Sequence, residues 1–114
     1  MLDDDYNAII ASTRSILIKN LPDSSLELKR HLNVCMKAVA PLLLARTEAQ
    51  HQLAIDRERF RHPKDKELTD FDRQTMLASQ TAPTNKTYEE LKGLEELLNN
   101  RINALLFLGN QLSQ

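Results

Sequence analysis

Residues 24–62 hold no glycine, open on Ser24 with Glu27 three positions on, and contain a single proline, Pro41, near the middle. Ser and Glu at that spacing form a capping box, in which the hydroxyl accepts from an early helical amide and the carboxylate reaches back to the cap. Leu28, Leu32, Cys35, Met36, Val39, Leu42 and Leu43 then recur at helical spacing, and the stripe continues through Leu53, Ala54 and Phe60. Pro41 has no amide to donate and its ring crowds the Lys37 carbonyl, so the stretch is either one kinked helix or two helices joined there. Ala40, Leu42, Leu43, Leu44 and Ala45 are good helix formers and no capping residue stands beside the proline, which favours the kinked helix. At 1.5 Å per residue it would be roughly 55 Å long, more than a small globule needs. A protruding arm, or cover from other polypeptide, is the expected consequence.

The rest of the chain also reads as helix. A first helix over residues 3–20 follows from three early carboxylates at its positive end and from Tyr6, Ile9, Ile10, Thr13, Ile16 and Leu17, with Leu21-Pro22 as its stop. His62-Pro63 ends the long segment, and residues 64–68 form a charged connector. Thr69 with Asp72 caps a short helix over 70–79, and residues 79–86, with Pro83 among them, have loop composition. Thr87 with Glu90 opens the last helix, whose inward face is Leu91, Leu94, Leu98, Ile102, Leu105 and Leu108, with Gly109-Asn110 as a left-handed stop. Gly93 inside that helix reads as a close crossing or as simple tolerance. These elements predict one all-α domain over 1–114: a small bundle of four helices with a long kinked second helix and an antiparallel C-terminal helix.

Composition narrows the function classes. With 114 residues only a modest core is possible, and with valine only at 34 and 39 the β-branched enrichment of strands is missing. A net charge of -1, from 15 basic and 16 acidic side chains, supplies no global field toward a polyanion or an anionic membrane, so nucleic-acid contact must be local. The longest apolar run, residues 38–45, is too short to cross a bilayer, and residues 1–5 are acidic where a secretory signal is basic, which predicts a cytoplasmic protein without membrane contact. Cys35 is the one cysteine, on an apolar helical face, which predicts an inert core thiol.

No motif asks for an enzyme or a cofactor. Glu27, His31 and Cys35 share a helix face, but two soft ligands are too few for zinc, and a core cysteine beside a boundary histidine is the simpler reading. Glu48 and His51 have the spacing that helical bundles use twice to hold a metal pair; the second copy is absent, which leaves a helical metal enzyme as a minor alternative. Nucleophile elbows and glycine-rich phosphate cradles are missing. The richest cluster is basic: Arg57, Arg59, Arg61, His62, Lys64 and Lys66, interleaved with Asp56, Glu58, Asp65 and Glu67. Intrahelical pairing at a helix C-terminus explains such a run, and so does a clamp for phosphate or an acidic partner through Arg57, Arg59, Arg61, Lys64 and Lys66.

Arg46, Glu48-Ala49-Gln50, Ala54, Arg57 and Phe60 resemble the basic helix of the tailed-phage recombination mediators, the UvsY family, with a looser echo in residues 75–106. After that helix the family carries a tyrosine pair and a glycine, where this chain has Phe60-Arg61-His62-Pro63. The resemblance implies a small, oligomeric, non-enzymatic helical protein that binds single-stranded DNA and helps load a recombinase, with Arg57, Arg59, Arg61 and Lys64 on phosphates and leucine faces joining protomers. The expectation is therefore a helical interaction or assembly subunit that self-associates or docks on a larger complex. Leu42, Leu43, Leu53, Phe60, Leu98 and Leu105 are its expected interface, with single-stranded nucleic acid as a further partner. The alternative is a protein adaptor with no nucleic-acid role.

Overall fold

The capping residues set where the helices start. Ser24 is extended, with φ -116 and ψ 150, and its Oγ accepts from the Glu27 amide at 3.3 Å. Thr69 and Asp72 cap each other: the Asp72 amide donates to Thr69 Oγ1 at 3.1 Å, and the Thr69 amide to Asp72 Oδ2 at 3.4 Å. The protein is seen in a computed structural model that describes residues 2–61 and 69–112, with side chains from Tyr6 to Arg61 and from Thr69 to Gln111. Among the described residues there are three helices, α1 (Leu2–Leu17), α2 (Ser25–Arg59) and α3 (Asp70–Leu112), and no strand.

The all-α bundle with a long second helix and an antiparallel C-terminal helix stands, but it has three described helices in place of four. Pro41 lies inside one unbroken α2, and Pro83 lies inside one unbroken α3, which runs through the expected loop at 79–86. Tertiary contacts override composition there. Thr81 is buried and returns its hydroxyl to the Leu77 carbonyl at 2.9 Å, while Thr84 Oγ1 donates to Asp56 Oδ2 across the helix pair at 2.7 Å. Pro83 is exposed, and its missing amide deprives only the Ser79 carbonyl of its usual donor. The expected stop at Gly109-Asn110 is helical as well. No glycine has positive φ, and a methyl group built on Gly109 would lie 3.6 Å from Leu28 Cδ2. At Gly93 nothing lies within 4 Å of such a methyl group, so tolerance and not close crossing accounts for it.

The pairing of α2 with α3 has a simple register. Asp56 bonds Thr84, and Arg46 Nε donates to Glu95 Oε2 at 2.6 Å, so chain numbers rise on α2 as they fall on α3. Extending that register by sevens sets Ala49 level with Leu91, Leu42 with Leu98 and Cys35 with Leu105. Leu42, Leu91, Leu98, Leu105 and Cys35 are also the largest fully buried side chains. A seven-residue repeat on both partners is the signature of helices that wind gently about each other. α2 is therefore long because α3 is long; the cover expected from other polypeptide comes, along this stripe, from the same chain. The described residues extend 69 × 27 × 18 Å, with a radius of gyration of 19.4 Å, against about 13 Å for a compact chain of this length.

α1 lies along one side of this hairpin, parallel to α3. Tyr6, Ile10, Thr13 and Ile16 are its buried residues, and Arg14 pairs with Glu90. It ends at Leu17 and not at residue 20, because Arg101 of α3 takes over its last carbonyls: Nη2 donates to Leu17 O and Nη1 to Lys19 O, each at 2.7 Å. A guanidinium at a helix C-terminus satisfies orphan acceptors and opposes the negative end of the dipole.

Candidate interaction surface

Of the residues expected at an interface, Leu42, Leu53, Leu98 and Leu105 are core of the single chain, between 0% and 3% exposed. They are engaged with their own chain because the register turns these faces of α2 and α3 toward each other. Phe60 is half-buried at the end of α2, with the Arg59 guanidinium 5.6 Å from its ring centroid. Leu43 alone of that set is exposed, at 40%.

The basic cluster sits where α2 ends. Arg57, Arg59 and Arg61 are exposed, whereas Lys64 and Lys66, with His62, lie outside the described residues. Carboxylates stand among the arginines. Arg61 Nη1 is 3.7 Å from Glu58, and across the tip Arg73 pairs with Asp70. The Asp56 carboxyl is held below its ordinary pKa chiefly by the Thr84 hydrogen bond, then by Gln52 and by the charge of Arg59. Arg57, Arg59, Arg61 and Arg73 share this tip with Asp56, Glu58, Asp70 and Asp72, while Lys86 lies beside Arg57, so basic and acidic side chains nearly balance there.

The metal-directed expectation finds little geometry. Glu48 and His51 are both exposed, and among the described residues no group of three His, Cys, Asp or Glu side chains is placed to hold an ion. His31 and Cys35 do meet, with Nε2 3.8 Å from Sγ, but Arg101 Nη1 lies 3.3 Å from the same nitrogen. A guanidinium only donates, so Nε2 accepts and the ring proton is assigned to Nδ1. Burial first, and then the charges of Arg101 and Lys19, lower the His31 pKa from 6.5; burial raises that of Cys35.

A lowered histidine means that the unfolded chain binds the proton more readily. The fold keeps its full strength above about pH 6.5 and weakens as pH falls from there toward the folded-state pKa. The urea midpoint should therefore drop between pH 7 and pH 5 in the parent and drop less in His31→Gln; parallel pH profiles for the two would contradict this linkage.

The surface that sequence reasoning did not separate from the core is the side of the hairpin opposite α1. Arg46 and Glu95 mark it. One heptad away, toward the α2 N-terminus, come Val39 and Ile102, both half-buried, flanked by Met36 (57% exposed), Leu43 and Leu106 (50%). The clue was present in the sequence, because the stripe on α2 that includes Met36 and Leu43 beside Cys35 and Leu42 is too broad for one partner helix to cover. No described helix is long and apolar enough to cross a membrane. No family model, no curated protein and no solved structure matches this chain.

Proposed function

We propose that this protein is a non-enzymatic helical interaction subunit, which works by presenting the side of the α2–α3 hairpin opposite α1 to another polypeptide. The observation that carries this reading is that α1 covers one side of the hairpin, while on the other Met36, Leu43 and Leu106 stand exposed beside the half-buried Val39 and Ile102; Leu44, Leu97 and Phe107 are exposed elsewhere on the pair. Exposed apolar side chains grouped on one face mark contact sites more often than scattered ones do. Among the described residues no group of three His, Cys, Asp or Glu side chains is placed to hold a metal ion, and the Cys35 thiol is buried.

A photo-crosslinking amino acid placed in living cells tests it. Position 43 or 106 should give a discrete protein adduct, and position 103, on the outer surface of α3, should give none. No adduct at either position, or equal adducts at all three, removes the proposal. Contact with single-stranded nucleic acid would fall to Arg57, Arg59 and Arg61, whose neighbouring carboxylates place it second. It predicts salt-sensitive polyanion binding that is lost when all three become glutamate.

A further inference from the structure

The uncovered face has a distinctive charge pattern. At its centre Arg46 on α2 and Glu95 on α3 are level, with side chains only 24% and 23% exposed. Val39 and Ile102 lie above them on the same face; one heptad below, Tyr88 is half-buried and Leu53 belongs to the core. The chain exposes 8278 Å², about 1,900 Å² more than the roughly 6,400 Å² of a compact monomer of its 13.1 kDa mass, an excess that belongs to its elongated shape as a whole. A stable dimer needs roughly 800 Å² from each partner.

Resting on the interaction reading above, we infer that the occupant of this face is a second copy of the chain, related by a two-fold axis that runs along the hairpin. That operation sets α2 of one copy over α3 of the other at equal height. Met36 then meets Leu106 of the partner subunit, Val39 meets Ile102 of the partner subunit, and Leu43 lies one heptad below Met36, near the level of Asn99 of the partner subunit. Arg46 comes over Glu95 of the partner subunit and Glu95 over the partner's Arg46, so two intrachain pairs merge into a ring of alternating sign. A two-fold axis perpendicular to the helices instead sets α2 over the partner's α2: at the level of Arg46 it lays like charge on like, and at the level of Val39 it lays Arg46 over Leu32 of the partner subunit, with no opposite charge across the interface in either case. The ring therefore selects one arrangement, which is the best-attested use of a partly buried ion pair. The net charge of -1 puts little repulsion between copies.

Sedimentation equilibrium of the full chain at tens of micromolar is the test, with circular dichroism as the control for folding. The parent is expected at twice the chain mass. Arg46→Glu alone makes a ring of four carboxylates, and Glu95→Arg alone a ring of four guanidiniums; each should sediment at the single mass with parental helicity. Mixed in equal amounts, the two variants regain opposite charges only across the interface, so the doubled mass should return. Should either charge variant lose helicity, Leu43→Lys with Leu106→Lys takes its place, and the single mass is again expected. A parent at the single mass, or charge variants that stay paired, overturns the inference. A single-mass parent that still cross-links through position 43 to a different protein overturns the pairing and leaves the interaction reading standing; no adduct at all ends both.

Discussion

Leu98→Ala will lower the unfolding free energy by about 3–5 kcal/mol, which is a third or more of the total stability of a typical small domain. Leu98 is 1% exposed and stands level with Leu42, itself 0% exposed, in the central layer of the helix pair. Truncation there loses the transfer energy of the removed methyl groups and leaves a cavity that two long, opposed helices cannot readily close. Leu97, the preceding residue, is 55% exposed, so Leu97→Ala should change stability by no more than about 0.5 kcal/mol. Urea unfolding of both variants reads this directly. Equal losses at 97 and 98 would mean that the register of α2 against α3 is not the one described.

Arg101→Ala should cost about 2–3 kcal/mol, roughly 10 °C in Tm, and the loss should be concentrated in α1. The guanidinium holds the Leu17 and Lys19 carbonyls and donates toward His31, so one side chain of α3 joins the end of α1 to the start of α2. Without it those acceptors lose their charged donor at the negative end of the helix. Arg101→Lys should recover only part of the loss, because one ammonium cannot reproduce the planar fork. Amide exchange should show α1 opening ahead of α2 and α3 in Arg101→Ala. Uniform acceleration across all three helices would mean that α1 is held by its apolar face alone.

Much of this architecture is legible from particular residues. Ser24 with Glu27 and Thr69 with Asp72 place two helix starts, because capping is local chemistry that needs no tertiary information. Pro41 reads correctly as internal because strong helix formers flank it on both sides. Pro83 does not. Its neighbours Thr81, Ala82, Thr84 and Asn85 have turn composition, and what keeps them helical is the burial of Thr81 and the bond from Thr84 to Asp56, both of which depend on α2. Once residues 79–86 are helical, α3, with 43 residues, is long enough to cover the 35 of α2, and the need for outside cover along the leucine stripe disappears.

The candidate surface was only half legible for a related reason. A stripe of apolar residues marks a face that avoids water, but the stripe alone does not say which residues the chain's own partner helix takes. Leu42, Leu53, Leu98 and Leu105 go to the core, and Met36, Leu43 and Leu106 remain outside. The signal that separates the two sets is a seven-residue spacing, carried on α2 by Leu28, Cys35, Leu42 and Ala49 and on α3 by Thr84, Leu91, Leu98 and Leu105. It becomes decisive only when both helices are known to be continuous. Arg101 carried no signal of its own beyond a cation among leucines.

The bare face exists because both prolines are carried inside unbroken helices, so that one long hairpin has α1 on one side only. Small-angle scattering measures this most directly. A maximum dimension near 70 Å is predicted, for the free chain or for two copies side by side, in keeping with the 69 Å length of the described residues. A particle roughly 35 Å across, the size of a compact chain of this length, would show the hairpin folded back on itself and the exposed face covered, and would contradict it.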